Sequence, residues 1–154
     1  MSKKSNRYAL TAAEKAQLRK SRIALKDIVN HPVGELQHIL STTEQRAKEI
    51  FASYQFQSVP SIGARFAEDL IAMGYYALDE LKHKTGVELI DQLEQKMGYW
   101  IDPCVEDQCR LVVHFANTGD VTKQWWHLTA ERKAYRAPHE YPTSRPQKAW
   151  FETL

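Results

Sequence analysis

Apolar residues recur at helical spacing along most of the chain, and no stretch alternates persuasively as a half-buried strand does. Ala47, Ile50, Phe51 and Tyr54 fall at i, i+3, i+4 and i+7, one face of a helix. Phe66, Ala67, Leu70 and Ile71 repeat that spacing over a shorter run, and Gly74 closes it. Val87, Ile90, Leu93 and Met97 mark a third face. Val105, Cys109, Val112, Val113 and Ala116 mark a fourth. The nearest approach to a strand, Arg110-Leu111-Val112-Val113-His114-Phe115, lies inside that fourth run. The pattern predicts an all-α fold.

Boundary residues agree with it. Thr11 with Glu14, Ser41 with Glu44, and Thr85 with Glu88 each have the spacing of a capping box, in which two side chains satisfy the orphan amides of a helix start. They predict helices from about 11 to 21, from Ser41 to near Gln55, and from Thr85 to Met97, the last ended by Gly98. Pro32 suits the first turn of a helix through Val33, Leu36 and Leu40. Asp102-Pro103 supplies an N-cap and an N1 proline, and Asn117 to Gly119 stop the helix that follows. Ile23, Leu25 and Ile28 form a short apolar patch able to dock on a core. A short helix is expected from Thr129. Pro138, Pro142 and Pro146 exclude regular structure from most of the remaining tail. Trp125, Trp126, Tyr135, Tyr141, Trp150 and Phe151 argue against disorder there, so the tail is expected to wrap the core.

Between the first two faces lies Ser58-Val59-Pro60-Ser61-Ile62-Gly63-Ala64-Arg65. An apolar residue, Pro-Ser-Ile-Gly, then Ala67 and Leu70, resembles the helix-hairpin-helix motif of DNA-associated proteins. Glycine lets a backbone approach a partner closely, and the open N–H groups of a new helix suit a phosphate. Two helix–short connection–helix units, at roughly 44–73 and 86–117, are joined by a short helical turn. That is the layout of a doubled helix-hairpin-helix core. The second connection, Tyr99-Trp100-Ile101, lacks the glycine pattern and reads as structural. The expected organisation is a basic N-terminal arm over 1–22, a helix-hairpin-helix domain over 23–119, and a Trp/Arg-rich extension over 120–154 packed on it.

Length and composition allow this: 154 residues with 43% apolar content suffice for one domain with ordered extensions. The net charge of +2 is unevenly spread. Residues 1–26 carry eight Lys/Arg against Glu14 alone, residues 27–119 carry seven basic against fourteen acidic residues, and residues 120–154 carry six against four. A polyanion would favour the N-terminal segment and disfavour the middle. No apolar run is long enough to span a membrane, and the basic start is not followed by a signal core, so a cytoplasmic protein is expected. Cys104 and Cys109 make a poor disulfide framework and suit a reducing compartment.

The hairpin offers a sequence-independent phosphate clamp, with Ser61 and Ile62 forming the turn and the amides of Gly63, Ala64 and Arg65 pointing outward. Arg65 is its nearby cation. Ser61 stands where strong DNA-binding hairpins carry a second glycine, and Glu68 and Asp69 follow. The alternative use of the same residues is packing, with Pro60 and Ile62 plugging the space between two helices. Arg132, Lys133 and Arg136, interleaved with Trp125, Trp126 and Tyr135, could add phosphate contacts and base stacking, or could pack as core. Asp102, Glu106 and Asp107 crowd a helix start, where carboxylates complement the macrodipole. The spacing of Cys104, Cys109 and His114 fits no common zinc pattern, and no catalytic constellation is readable.

Five blocks in one order carry a family resemblance: Gln55-Phe56-Gln57-Ser58-Val59-Pro60-Ser61-Ile62-Gly63, Ala67-Glu68-Asp69-Leu70, Gly74-Tyr75-Tyr76, Asp102-Pro103-Cys104-Val105-Glu106-Asp107, and Arg132-Lys133-Ala134-Tyr135-Arg136. Over roughly residues 23–150 the chain resembles the bacterial "pathogenicity locus" family of small helix-hairpin-helix proteins, whose relatives include mitomycin-resistance proteins. The resemblance implies a helical fold without catalytic residues. The hairpin pattern and the charge distribution, rather than the resemblance, lead to two expected functions: weak sequence-independent DNA binding without a cofactor, or a protein-interaction or homodimerisation module using the same hairpin and tail.

Overall fold

The computed structural model describes residues 6–153. Lys3 and Lys4 of the expected basic arm lie outside them, as does Leu154. Among the described residues all regular structure is helical, apart from one bridged pair, Trp100 with Ala149. The chain divides into two compact units. One runs to Ser58 and resumes over Gly63–Ala77; the other takes Val59–Ile62 and continues from Leu78. The divisions expected after residues 22 and 119 do not coincide with these units.

The first unit contains α1 (Ala12–Lys20), a 3-10 turn (Leu25–Asn30), α2 (Val33–Leu40), α3 (Glu44–Gln57) and α4 (Ala64–Ala72). At the start of α1 the Thr11 hydroxyl accepts from the Glu14 amide at 3.1 Å, and the Glu14 carboxylate accepts from the Thr11 amide at 2.9 Å. Pro32 stands just outside α2, as its N-cap, rather than within its first turn. The helix expected to start from Ser41 is capped by Thr43 instead, whose hydroxyl accepts from the Arg46 amide at 3.1 Å. Ser41 has φ 52°, in the left-handed region, and ends α2. Leu10, Leu18, Ile28, Leu36, Leu40, Ala47 and Ile50 form one buried cluster, with Ile23, Phe51 and Tyr54 packed against it. Leu25, expected with Ile23 and Ile28, is instead 49% exposed. From α4, which packs on α3, Phe66, Ala67, Leu70 and Ile71 are buried. Fully burying each large aliphatic side chain contributes roughly 1.5–3 kcal/mol.

One ion pair docks the N-terminal segment. Glu14 is buried, and Arg46 of α3 donates to its carboxylate at 2.9 and 3.1 Å. The same guanidinium donates to the carbonyls of Arg7 and Ala9 at 3.1 and 2.9 Å. The segment expected as an arm is therefore fixed to α3. Its cations Arg7, Lys15, Arg19, Lys20, Arg22 and Lys26 remain exposed.

The second unit contains the turn residues 59–62, a 3-10 turn (Leu78–Leu81), α5 (Gly86–Met97), α6 (Pro103–Thr118), a 3-10 turn (Trp125–Leu128), α7 (Thr129–Arg136) and a last 3-10 turn (Trp150–Thr153). Thr85 and Asp102 cap α5 and α6 with their side chains, and Gly98 and Gly119 end them at φ 77° and 67°. α5 and α6 approach closely at Gly86: a Cβ there would lie 2.4 Å from Arg110 Cγ and 3.0 Å from its backbone. Val59, Ile62, Leu81, Leu89, Ile90, Leu93, Cys109, Leu111, Val112 and Leu128 are buried. Leu111 falls outside the apolar face read from the sequence, while Val105, Val113 and Ala116 on that face are only partly buried. Near the C-terminus, the Trp100 amide donates to the Lys148 carbonyl and the Trp150 amide to the Trp100 carbonyl, each at 2.8 Å.

Candidate functional site

The residues expected to bind phosphate fall in two settings. Gly63, Ala64 and Arg65 lie in the first unit, at the start of α4. Gly63 is the N-cap, with extended backbone (φ −97°, ψ 178°) and no side-chain cap. Neither its φ nor its surroundings demand a glycine, since a Cβ there would meet nothing within 4 Å. Helices α1, α3, α5 and α6 have their orphan amides capped by Thr11, Thr43, Thr85 and Asp102. α4 has no such cap and no acid in its first turn, and Arg65 is exposed at its second position. This terminus carries a partial positive charge from the aligned peptide dipoles.

Ser61 and Ile62 belong to the second unit. Ser61 has φ 62°, the left-handed conformation that a glycine would adopt at lower cost. Its hydroxyl donates to the Pro60 carbonyl at 2.6 Å and accepts from the Trp125 amide at 2.9 Å. Ile62 is buried, and its amide donates to the Val59 carbonyl at 3.1 Å.

Arg132 and Arg136 are directed inward. Glu106 and Asp107 are both 0% exposed. Arg132 donates to Asp107 at 2.6 Å, and the Thr129 hydroxyl donates to the other oxygen at 2.7 Å. Glu106 accepts from Arg136 at 3.2 Å, from Arg110 at 3.3 Å and from the Tyr141 hydroxyl at 3.1 Å. Burial first, and Glu106 second, push the Tyr141 hydroxyl above its ordinary value. A third buried carboxylate, Glu94, accepts from Arg145 at 2.8 and 3.0 Å and from the Ile101 amide at 2.7 Å. The Tyr141 ring lies against both guanidiniums, 3.8 Å from Arg136 and 3.5 Å from Arg145. Lys133, off this face of α7, is exposed. Trp125 is partly buried, whereas Trp126 is 52% exposed.

The expectation that Arg132 and Arg136 serve an outside phosphate meets this arrangement directly: both are counter-ions of buried carboxylates. A macrodipole role for Glu106 and Asp107 at the start of α6 leaves out these arginine partners. The signal for their partners was present, because Arg132 and Arg136 are one helical turn apart and so share a face. No group of three or more His, Cys, Asp or Glu able to hold a metal occurs among the described residues.

Residues 49–134 match the family Cdd1, described as a pathogenicity locus. The chain belongs to this family. The match runs from within α3 into α7; it includes the α4 terminus, Glu106, Asp107 and Arg132, and stops before Arg136, Tyr141 and Arg145. The chain is also 30% identical over 73 residues to the mitomycin resistance protein McrB of Streptomyces lavendulae, covering 47% of this chain and 69% of that protein. No solved structure matches it significantly.

Proposed function

We propose that the chain is a non-enzymatic, doubled helix-hairpin-helix protein of the cytoplasm that binds DNA weakly and without sequence preference. The two helix pairs in chain order, α3 with α4 and α5 with α6, support the doubled reading. The observation that carries the binding is the open start of α4: three successive amides from Gly63 to Arg65, no cap, no first-turn acid, and an exposed guanidinium. A phosphate oxygen is the ligand such a terminus suits. The exposed cations at Arg7, Lys15, Arg19, Lys20, Arg22 and Lys26 add sequence-independent attraction. Lys133 remains available for a phosphate; Arg132 and Arg136 are better assigned to the fold.

Fluorescence anisotropy with duplex, branched and single-stranded DNA at low salt tests this. Gly63→Asp separates binding from folding. An aspartate at the N-cap adds a few tenths of a kcal/mol to stability, yet places a negative charge where the phosphate would sit. We expect this variant to fold at least as well and to lose affinity, as Arg65→Ala also does. No binding by the wild-type chain at about 100 μM, the weak end of nonspecific affinity, sinks the proposal.

Exposed Trp126 and Phe151, at 52% and 53%, favour a second reading, a protein-interaction or dimerisation module. Concentration-dependent mass in sedimentation, abolished by Trp126→Ser but not by Gly63→Asp, would favour it.

A further inference from the structure

In the second unit a large ring stands half in solvent on a well-held turn. Trp126 is 52% exposed, on the 3-10 turn Trp125–Leu128. The Trp125 amide donates to the hydroxyl of Ser61, a residue of the same unit, at 2.9 Å. The Gln124 amide donates to His127 Nδ1, and the His127 amide to the Gln124 carbonyl, each at 3.0 Å. Leu128 is buried. A fixed backbone therefore presents Trp126, which lowers the ordering cost of a contact made there.

The neighbouring rings do not stack on it. Those of Trp125 and His127 stand at 84° and 67° to Trp126, with centroids 5.5 and 5.7 Å away, so neither lies parallel to its face. The turn runs directly into α7, and Trp126, Ala130 and Lys133 follow at i, i+4 and i+7, all exposed. Thr129, Arg132 and Arg136 are turned toward Asp107 and Glu106 instead. The flanking acids face cations: Asp120 lies 3.2 Å from His114, and Glu131 lies 3.7 Å from Arg110. An aromatic ring and a lysine thus share the outer side of this segment, about 10 Å apart along the helix axis.

We propose that Trp126 stacks on an unpaired base of single-stranded DNA while Lys133 holds a phosphate of the same strand. The proposal rests on the reading of the chain as DNA-binding and names the form of DNA it takes. Every base has a π face, so stacking adds affinity without sequence preference. The size of the patch favours a base over a second protein. A whole tryptophan buries about 150–250 Å², and nearly half of this one is already covered. A stable protein interface takes about 800 Å² from each partner. An intact duplex keeps its base faces inside the stack, so it offers this ring no equivalent contact.

Anisotropy of the full chain with labelled oligothymidylate, against an abasic strand of the same length and charge, tests it. The wild-type chain should bind the thymidylate strand more tightly, by about 5- to 150-fold for one stacked base. Trp126→Ala should close that gap, and Trp126→Phe, which keeps an aromatic face, should retain most of it. Lys133→Gln should weaken binding of both strands and make the salt slope shallower by about 0.7. Equal wild-type affinity for the two strands overturns the proposal, as does a gap that persists in Trp126→Ala or vanishes in Trp126→Phe. An unmoved salt slope in Lys133→Gln overturns the phosphate contact. These outcomes leave the phosphate reading at α4 standing, because Gly63→Asp measures that reading on duplex DNA. Sedimentation of the DNA-free chain supplies the last outcome: self-association abolished by Trp126→Ala overturns the proposal, since a second copy would then cover the ring.

Discussion

Single residues in the second unit carry unequal burdens. Arg132 is the clearest case. Truncating it leaves Asp107, 0% exposed, with the Thr129 hydroxyl but without its counter-ion. Breaking a buried pair on one side costs about 3–5 kcal/mol, more than surface pairs do. Arg132→Ala should lower the urea midpoint accordingly, whereas Lys133→Ala, one position along, should leave it nearly unchanged. Gly86 is a second case. Alanine there would press on the Arg110 backbone, from which its Cβ would be 3.0 Å. Overpacking of this kind costs about 1–3 kcal/mol, and chemical denaturation of Gly86→Ala should show it.

Helix starts and stops were the most legible elements. Thr11, Thr85, Asp102, Gly98 and Gly119 do what their identities suggest, because capping is local chemistry. The start of α3 differs from the expected one because Ser41 and Thr43 are both hydroxyl residues within one turn, and a capping spacing does not reveal which one the backbone turns left-handed. Thr43→Ala should cost about 1 kcal/mol of stability. Ser41→Gly should raise stability by up to about 1 kcal/mol by relieving the left-handed conformation. Equilibrium unfolding of both variants distinguishes a cap from a stop. The link between α1 and α3 adds a pH dependence. Burial opposes ionisation of Glu14, but the Arg46 and Thr11 hydrogen bonds outweigh it and hold the carboxyl below its ordinary value. A lowered carboxyl contributes stability that is complete above its unfolded value, about 4.3, and disappears as pH falls through the folded one. The stability difference between wild type and Glu14→Gln should therefore shrink as the pH is taken below about 4.

At the scale of the whole molecule, charge is sorted by depth. Arg46, Arg110, Arg132, Arg136 and Arg145 serve internal carboxylates, while the cations of residues 7–26 stay exposed. The helical class and the family could be read from periodicity and motif order. This sorting could not, since every pair except Arg110–Glu106, four positions apart, joins residues 25 to 51 positions apart, and a one-dimensional charge count does not see them. If DNA binding draws on the exposed set, log affinity should fall with log salt at about −0.9 per phosphate neutralised. Replacing Arg19, Lys20 and Arg22 with glutamine should reduce that slope, measured by anisotropy across salt concentrations. The buried carboxylates also set an order of events during synthesis. Glu94 is made 51 residues before Arg145. At translation rates of roughly 5–20 residues per second, it waits about 3–10 s for its counter-ion. Until then α5 and α6 cannot close over their acids without stranding charge, so the nascent second unit should stay open to proteases and chaperones while the first unit, whose Glu14–Arg46 pair is already complete, can settle.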